Sequence, residues 1–529
     1  MRLQSVSMVL TIVYARVVTI AELLRREVRR VPHREALIFG DRTATYAELD
    51  ADVDRYAAAL SSLGVESGDR LALLAANSDR YLTAFFAGLR LGATIVPINT
   101  RLAAPEVAHI LRDSGARVLV FDPDLKTLAR QSRVLVESDP PDLIGLRAAG
   151  DVADLETLAA GTSLGWEPPE VSEHDNALIM YTSGTTGRPK GVLLDHRRAV
   201  WAGLSEIATL GLKDGERYLH LVPFYHSGGV TYAITLTMLA GTHVIVPGFT
   251  PTTLLEAVER HRCTFFLGVP TMFQMLLREP GLSERDLSSW RLAVFGAAPM
   301  PRAAVEAMIE ALPGVELVQM CGQTEAGPAG LYATAAQVRE RPDTSGRQAM
   351  VFYEHRVVDA EGRDVAPGEI GEVLYRGPGV MKGYWKRPEE TAETLRDGWL
   401  HSGDLVRLDP DGYMTVVDRL KDMVITGGRN VYTQEVERVV IRHPGIGDCA
   451  VIGRSHDIYG ESIVAVVTPT EMETPSLEEL REYCRASLAD FKLPHDLVVV
   501  DELPRNPSGK VLKRELRARV GSLEETAKP

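Results

Sequence analysis

The sequence predicts an α/β protein in two parts. A large N-terminal α/β domain of stacked sheets carries a β-rich subdomain, and a small α+β domain closes the chain. Three observations carry this prediction. At 529 residues the chain exceeds one ordinary domain. Through the first half, short apolar runs alternate with stretches of helical period, the pattern of βα units on a mostly parallel sheet. The pattern then changes twice: turns and β segments crowd together from Glu369, and a compact α+β arrangement follows from Thr433.

Taken in order, residues 1–18 form an extension. Val6 to Ala15 is apolar behind Arg2, but Ser7 and Thr11 interrupt it and Arg16 ends it. It is too short to span a membrane and lacks a clear cleavage site, so an extension or an alternative start at Met8 is expected, with membrane association as the alternative. Thr19 to Val31 is an amphipathic helix, with Ile20, Leu23, Leu24 and Val28 on one face. Ala36–Phe39 and Thr43–Tyr46 are expected as paired strands around the turn Gly40-Asp41, and helical period resumes from Tyr46 to Leu63. Strand Arg70–Leu74, helix Tyr81–Leu91, strand Thr94–Pro97, helix Pro105–Ser114 and strand Arg117–Phe121 continue the alternation. The stretch from Asp139 to Pro169, rich in Pro, Gly and acids, is expected as a surface connection.

Composition narrows the function classes. Apolar residues make up 45% and charged residues 25%, as in a soluble globular protein. A net charge of −14 with scattered basic residues argues against nucleic acid and anionic membranes as partners. Cys263, Cys321, Cys449 and Cys484 have no CxxC spacing, so no zinc or disulfide scaffold is expected. A reducing, cytoplasmic location fits that usage.

Tyr181-Thr182-Ser183-Gly184-Thr185-Thr186-Gly187-Arg188-Pro189-Lys190-Gly191 follows the buried apolar run Ala177–Met180. Gly184 and Gly187 leave backbone N–H groups open to an anion, and Thr182, Ser183, Thr185 and Thr186 add hydroxyls. Lys190 supplies a point charge, completing a phosphate cradle. It is not a Walker A loop, because Lys190 stands three residues after Gly187 and Pro189 removes a donor. Further on, strand Arg217–Val222 empties into Pro223-Phe224-Tyr225-His226-Ser227-Gly228-Gly229, a rim suited to a pocket. Strand Arg291–Phe295 runs into Gly296-Ala297-Ala298-Pro299, small residues that suit either a flat ring lying against backbone or a tight strand–helix turn without a ligand. Strand Val315–Gln319 ends in Met320-Cys321-Gly322-Gln323-Thr324-Glu325. A carboxylate at a strand exit suits Mg2+, and the Thr324 hydroxyl suits a phosphate. Asp404, expected in an exposed turn after Gly403, offers two acceptor oxygens to a ribose.

These motifs, in this order, resemble the ANL superfamily of acyl-CoA synthetases, peptide-synthetase adenylation domains and luciferases. The resemblance spans roughly residues 18 to 518. It implies an N-terminal domain over 19–417, a hinge at 418–422 and a mobile C-terminal lid domain over 423–529. It implies ATP, Mg2+ and CoA as cofactors, a small carboxylic acid as substrate, and two steps: acyl-AMP formation, then transfer to the CoA thiol.

Residue by residue, the resemblance assigns the cradle from Thr182 to Lys190 to the phosphates, and Gly296, Ala297, Ala298, Gln319, Cys321, Gly322 and Thr324 to the nucleotide. Glu325 falls to Mg2+, Asp404 and Arg419 to ribose and phosphate, and Lys421 to the hinge. Gly427 and Gly428 lie in the loop at the pantetheine tunnel. His226, Ser227, Gly228, Gly296 and Gln323 line the acyl site, with His226 moving between steps. Lys510, on the loop Pro504–Val511, clamps carboxylate and α-phosphate. Cys321 departs from the pattern, which has an aromatic residue there to stack on adenine. The acid implied is fatty or aryl; an unusual oxyacid stays open in its place, a carrier protein, an amine or another nucleophile as acceptor in place of CoA, and a homodimer as the assembly.

Overall fold

The computed structural model describes residues 19–162, 166–182, 189–298, 300–505 and 510–525. The chain divides into two compact units: Met1–His355 with Tyr375–His401, and Arg356–Leu374 with Ser402–Pro529. This division groups Ser402–Val417 with the C-terminal residues, earlier in the chain than a boundary at 417.

The larger unit contains two sheets among its described residues. The seven-stranded one runs, in spatial order, Gly383–Tyr384, Lys190–Asp195, Asn176–Thr182, Thr94–Pro97, Arg70–Leu74, Val118–Phe121 and Asp142–Gly145. Its centre is parallel, with Leu71 opposite Ile95 on one side and Val118 on the other. Strands buried on both faces need near-continuous apolar runs. Arg70–Leu74, Thr94–Pro97 and Val118–Phe121 have them. The alternation predicted for this half therefore holds.

Asp142–Gly145, inside the expected surface connection, is instead the edge strand of that sheet, pairing Val118 with Asp142. A short helix, Leu155–Ala160, follows it, capped by Asp154. An edge strand needs one apolar face only, so its acid- and proline-rich flanks hid it.

The nine-stranded sheet runs Gln348–Ala349, Gly330–Ala333, Glu316–Gly322, Leu292–Gly296, Phe265–Gly268, Arg217–His220, Thr242–Ile245, Glu35–Phe39 and Arg42–Thr45. The predicted N-terminal hairpin thus lies in this sheet, with Leu37 parallel to His243. Tyr46 is not its last strand residue. Thr45 caps the helix Tyr46–Ser62, and Glu48 returns the bond in a capping box.

In the smaller unit, a four-strand path runs Arg429–Val431, Val424–Thr426, Gly460–Pro469 and Ile446–His456, and Asp496–Val499 adds in parallel to Gly460–Pro469. Helices Thr433–Val440 and Leu477–Arg485 bury Val436, Val440, Leu480 and Cys484 in its core. Gly427 and Gly428 form the two-residue turn between the first two strands, at φ 55° and 74°. A turn with positive φ at both central residues matches the strand twist, and glycine adopts it without strain.

Trp399–Leu408 and Met414–Arg419 pair antiparallel, setting Asp404 opposite Arg419. Asp404 is therefore a buried strand residue, 8% exposed, and not the exposed turn residue expected. Gly403, at φ 70°, supplies the turn-like signal in the sequence while the chain stays in the ladder.

Candidate active site

Each unit carries its own group of candidate residues. On the larger unit, the strands Asn176–Thr182 and Lys190–Asp195 end and begin on one cross-strand pair, Thr182 opposite Lys190. The connection between them carries Ser183, Gly184, Thr185, Thr186 and Gly187, which lie outside the described residues. The described part of the predicted cradle is thus its two feet.

Lys190 points its ammonium at the ring of Tyr384, 5.1 Å from the centroid. The Tyr384 hydroxyl donates to Oε1 of Glu325 at 3.0 Å. Burial, together with the Glu325 carboxylate, pushes the Tyr384 phenol pKa well up, so it remains a donor. Sequence reasoning missed Tyr384. It sits 59 residues beyond Glu325, and only the Gly383-Tyr384 step in a turn-rich stretch marks it locally.

Glu325 belongs to a single 3-10 turn, Thr324–Ala326, at the exit of strand Glu316–Gly322. Three contacts hold that turn. Met381 N–H donates to the Glu325 carbonyl at 2.8 Å. Tyr353 hydroxyl donates to the Ala326 carbonyl at 2.8 Å. Gly327 ends the turn at φ 78°, where an added Cβ would lie 2.3 Å from the Gly379 carbonyl. On the turn's other side, the Thr324 and Ser227 hydroxyls lie 3.0 Å apart. The structure thus brings together residues predicted separately for acyl group and phosphate.

Ser227 opens the helix Ser227–Met238, and His226 precedes it as N-cap. The loop before it is fixed by the buried amide of Asn77, which accepts from Phe224 N–H at 2.7 Å and donates to the Val222 carbonyl at 3.0 Å. His226 and Tyr225 rings meet edge to face at 4.8 Å. Gly228 faces Leu267, whose methyl lies 3.0 Å from where a Cβ would stand. A larger residue at 228 would press on that methyl.

The strand ends behind this corner are packed backbone to backbone. Gly296 pairs with Met320, and a Cβ on Gly296 would fall 2.1 Å from the Met320 carbonyl oxygen. Ala297 and Ala298 are exposed beyond it, Ala297 at φ 66°. A non-glycine residue in that region is strained and clusters at functional sites. Gln319 and Cys321 are half-buried, on a strand flanked by Leu292–Gly296 and Gly330–Ala333. The Gln323 Nε2 is buried and lacks a hydrogen-bond partner. An orphaned donor costs roughly 1–3 kcal/mol, a cost that a ligand acceptor would remove.

On the smaller unit, Asp404 meets Arg419 at 3.0 Å. Burial raises the Asp404 carboxyl pKa, while Arg419, Lys510 and Lys421 pull it down. These four candidates therefore form one electrostatic neighbourhood. The predicted hinge is tied at both ends within this unit. Asp418 accepts from Thr433 N–H and from its hydroxyl, the latter at 2.9 Å, and Asp422 pairs with Arg517 at 3.1 Å. Lys510 and Lys421 are exposed.

Among the described residues, no three His, Cys, Asp or Glu side chains cluster as a metal cage. Glu325 accepts from Tyr384 on Oε1, and among the described residues no partner for its second oxygen is seen. That donor set fits Mg2+, which binds through few carboxylates and completes its shell with water and phosphate oxygens. It does not fit a closed structural metal. Cys263 and Cys484 are buried, and burial raises their thiols to about 12 and about 11, so neither is an activated nucleophile.

A family model of AMP-binding enzymes matches residues 24–385, and one of the AMP-binding enzyme C-terminal domain matches residues 435–510. A feruloyl-CoA synthase of an Amycolatopsis species is 41% identical over 500 residues, covering 94% of this chain and 98% of that protein. A long-chain-fatty-acid–CoA ligase of Mycobacterium tuberculosis is 36% identical, covering 94% and 97%. Among solved structures, the o-succinylbenzoate CoA synthetase of Bacillus subtilis bound to its acyl-adenylate intermediate superposes with a TM-score of 0.84. It is 30% identical, covering 94% of this chain and 97% of that one.

Proposed function

The chain belongs to the AMP-binding enzyme family, and from that premise we propose how its residues make an acyl-CoA. It is an AMP-forming acid–CoA ligase. A carboxylate oxygen attacks the α-phosphorus of ATP and expels pyrophosphate, giving acyl-AMP. The CoA thiol then attacks the acyl carbon and expels AMP, giving the thioester.

The observation that supports this assignment of roles is the corner where Lys190, Tyr384, Glu325, Thr324 and Ser227 converge. Bringing two anions together requires cationic and hydrogen-bonding groups around the reacting phosphorus. Thr324 donates its hydroxyl to the α-phosphate, beside Ser227 on the acyl side. Lys190 and the cradle neutralise charge on the pyrophosphate as it leaves. Glu325 holds Mg2+, which when bound supplies Lewis-acid stabilisation of the phosphate oxygens. Asp404, with Arg419 beside it, receives the ribose hydroxyls. Lys510 serves the first half-reaction by bridging carboxylate and α-phosphate, and the Gly427-Gly428 turn serves the second by admitting the pantetheine arm. Gly296, Ala297 and Ala298 offer backbone to the adenine, so the ring rests on a flat surface even with Cys321 in the stacking position.

For the acid, a flat aryl acid is the reading we adopt. Gly228 packs close beneath the Leu267 methyl, and of the two relatives the feruloyl-CoA synthase, at 41% identity against 36%, is the more similar. The test is a panel of aryl and alkyl acids with Mg·ATP, with and without CoA, followed by mass spectrometry of AMP, pyrophosphate and thioester. Aryl-CoA forming well ahead of alkyl-CoA is expected. Adenylate without thioester would sink the CoA step and favour a carrier protein or an amine as acceptor. A preference for long alkyl chains would sink the aryl assignment alone.

A further inference from the structure

Tyr384 occupies a position that the reaction scheme leaves without a role. It lies between the two charged groups on which adenylation draws. Its hydroxyl holds Glu325 at 3.0 Å, and its ring carries the Lys190 ammonium at 5.1 Å. That ring distance is within the range in which a cation is attracted to an aromatic face. One aromatic ring thus stands between opposite charges, and among the described residues no ion pair is seen for either Lys190 or Glu325. A direct Lys–Glu pair would satisfy both groups and leave neither for a substrate. A tyrosine between them holds each weakly and keeps each available.

The holder is itself immobilised. Gly383 and Tyr384 pair with Leu193 and Val192, on the strand that Lys190 begins. The next residue, Trp385, donates its N–H to the Gly191 carbonyl at 2.7 Å and its indole N–H to the Asp113 carbonyl at 3.1 Å. Arg387 pairs with the Asp113 carboxylate at 2.6 Å, and Tyr384 N–H donates to Thr391 at 2.9 Å. Lys190 and Tyr384 are thereby fixed to one piece of sheet, whereas Glu325 stands on a single turn of another. The tyrosine hydroxyl is a side-chain link from one to the other.

We propose that Tyr384 is a positioning residue for the first half-reaction. Its hydroxyl orients the Glu325 carboxylate toward the metal, and its ring seats Lys190 at the phosphates. The proposal rests on the reading of Lys190 and Glu325 given above and adds a dedicated holder for both.

The test uses the full chain with Tyr384→Phe and Tyr384→Leu. Phe keeps the ring and removes only the hydroxyl; Leu removes both. A hydrogen bond to a charged carboxylate is worth about 10- to 100-fold in an equilibrium. Tyr384→Phe is therefore expected to weaken Mn2+ binding about 10-fold, read by electron paramagnetic resonance with a non-hydrolysable ATP analogue. It should raise the Mg2+ concentration for half-maximal pyrophosphate exchange by a similar factor, leaving the acid KM within about 2-fold. Tyr384→Leu should add a further loss, about 3-fold, in affinity for the analogue itself through Lys190. Thioester formation from supplied acyl-AMP should stay near wild type in Tyr384→Phe. Unchanged Mn2+ affinity and Mg2+ dependence in a folded Tyr384→Phe protein would overturn the proposal. Absence of acid-dependent exchange in the wild type would instead overturn the underlying reading, so the two failures are separable.

Discussion

Gly296→Ala probes the corner at its tightest point. Gly296 lies opposite Met320 in a parallel pair, and an alanine Cβ would stand 2.1 Å from the Met320 oxygen and 3.2 Å from its carbonyl carbon. The obstacle is backbone, so no side-chain rotation relieves it. Restoring ordinary contact needs the strand ends to part by about 1 Å, an overpacking cost of about 1–3 kcal/mol. Against it stands a gain of about 0.4–1 kcal/mol, because alanine has fewer unfolded conformations than glycine. The net expectation is a loss of about 1–2 kcal/mol. Gly314→Ala is the control: nothing lies within 4 Å of its Cβ position and its φ is not positive, so only the gain remains.

The assay is urea unfolding of both variants beside the wild type, with nucleotide affinity measured on the folded proteins. Because Ala297, Gln319, Cys321 and Gly322 flank the displaced residues, Gly296→Ala should also weaken ATP binding about 10-fold. Both variants gaining stability equally, with ATP affinity unchanged, would refute the argument from close backbone approach.

Three further predictions concern charge. Lys510→Ala should abolish acid-dependent pyrophosphate exchange while leaving thioester formation from supplied acyl-AMP within about 3-fold; equal loss of both half-reactions would end that division of labour. Glu206 is 2% exposed, and its carboxylate accepts from Tyr232 at 3.0 Å; burial raises it from its ordinary 4.5 to about 8. A carboxyl raised in the folded state binds its proton more tightly there, so stability declines as pH rises from 4.5 toward 8. Glu206→Gln keeps the acceptor and removes that decline. It should therefore be more stable than wild type at pH 8, by on the order of 4 kcal/mol, and little different at pH 4.5; a pH-independent difference would contradict this. Buried His196 and His243 are lowered from 6.5 to about 4 and about 3, chiefly by burial, and His220 is lowered well below 6.5 for the same reason. Their contribution is complete above 6.5 and is lost as pH falls toward those values, about 3 kcal/mol for His196 alone. His196→Gln should flatten the fall in unfolding free energy between pH 6.5 and 4, and parallel curves for variant and wild type would count against it.

Much of this site was legible in the chain. Local period marks helices and strands, because side-chain burial repeats every two or 3.6 residues whatever the fold. Glycine and hydroxyl density marks an anion loop, because backbone donors need open approach. Thr182 and Lys190 were named on such grounds, Thr324 and Glu325 from their place at a strand exit, and the acyl-site role of Ser227 only through the family resemblance. The buried strand position of Asp404 was not legible. Gly403-Asp404 has turn chemistry, and only pairing with Arg419 on a strand more than ten residues later keeps it in a ladder. The edge strand Asp142–Gly145 was hidden likewise, its pairing with Val118–Phe121 outweighing poor local propensity.

What the sequence by itself determined was the order of elements, the α/β class and the kinds of charge placed at each strand exit. What the tertiary structure alone decided was which exits meet. The hairpin at Glu35–Thr45 joins a sheet whose neighbouring strand is Thr242–Ile245, and Tyr384 reaches back to both Lys190 and Glu325. Strand partners are chosen by burial of whole faces and by backbone hydrogen bonding across long loops. These are properties of the assembled sheet that no local window of residues contains.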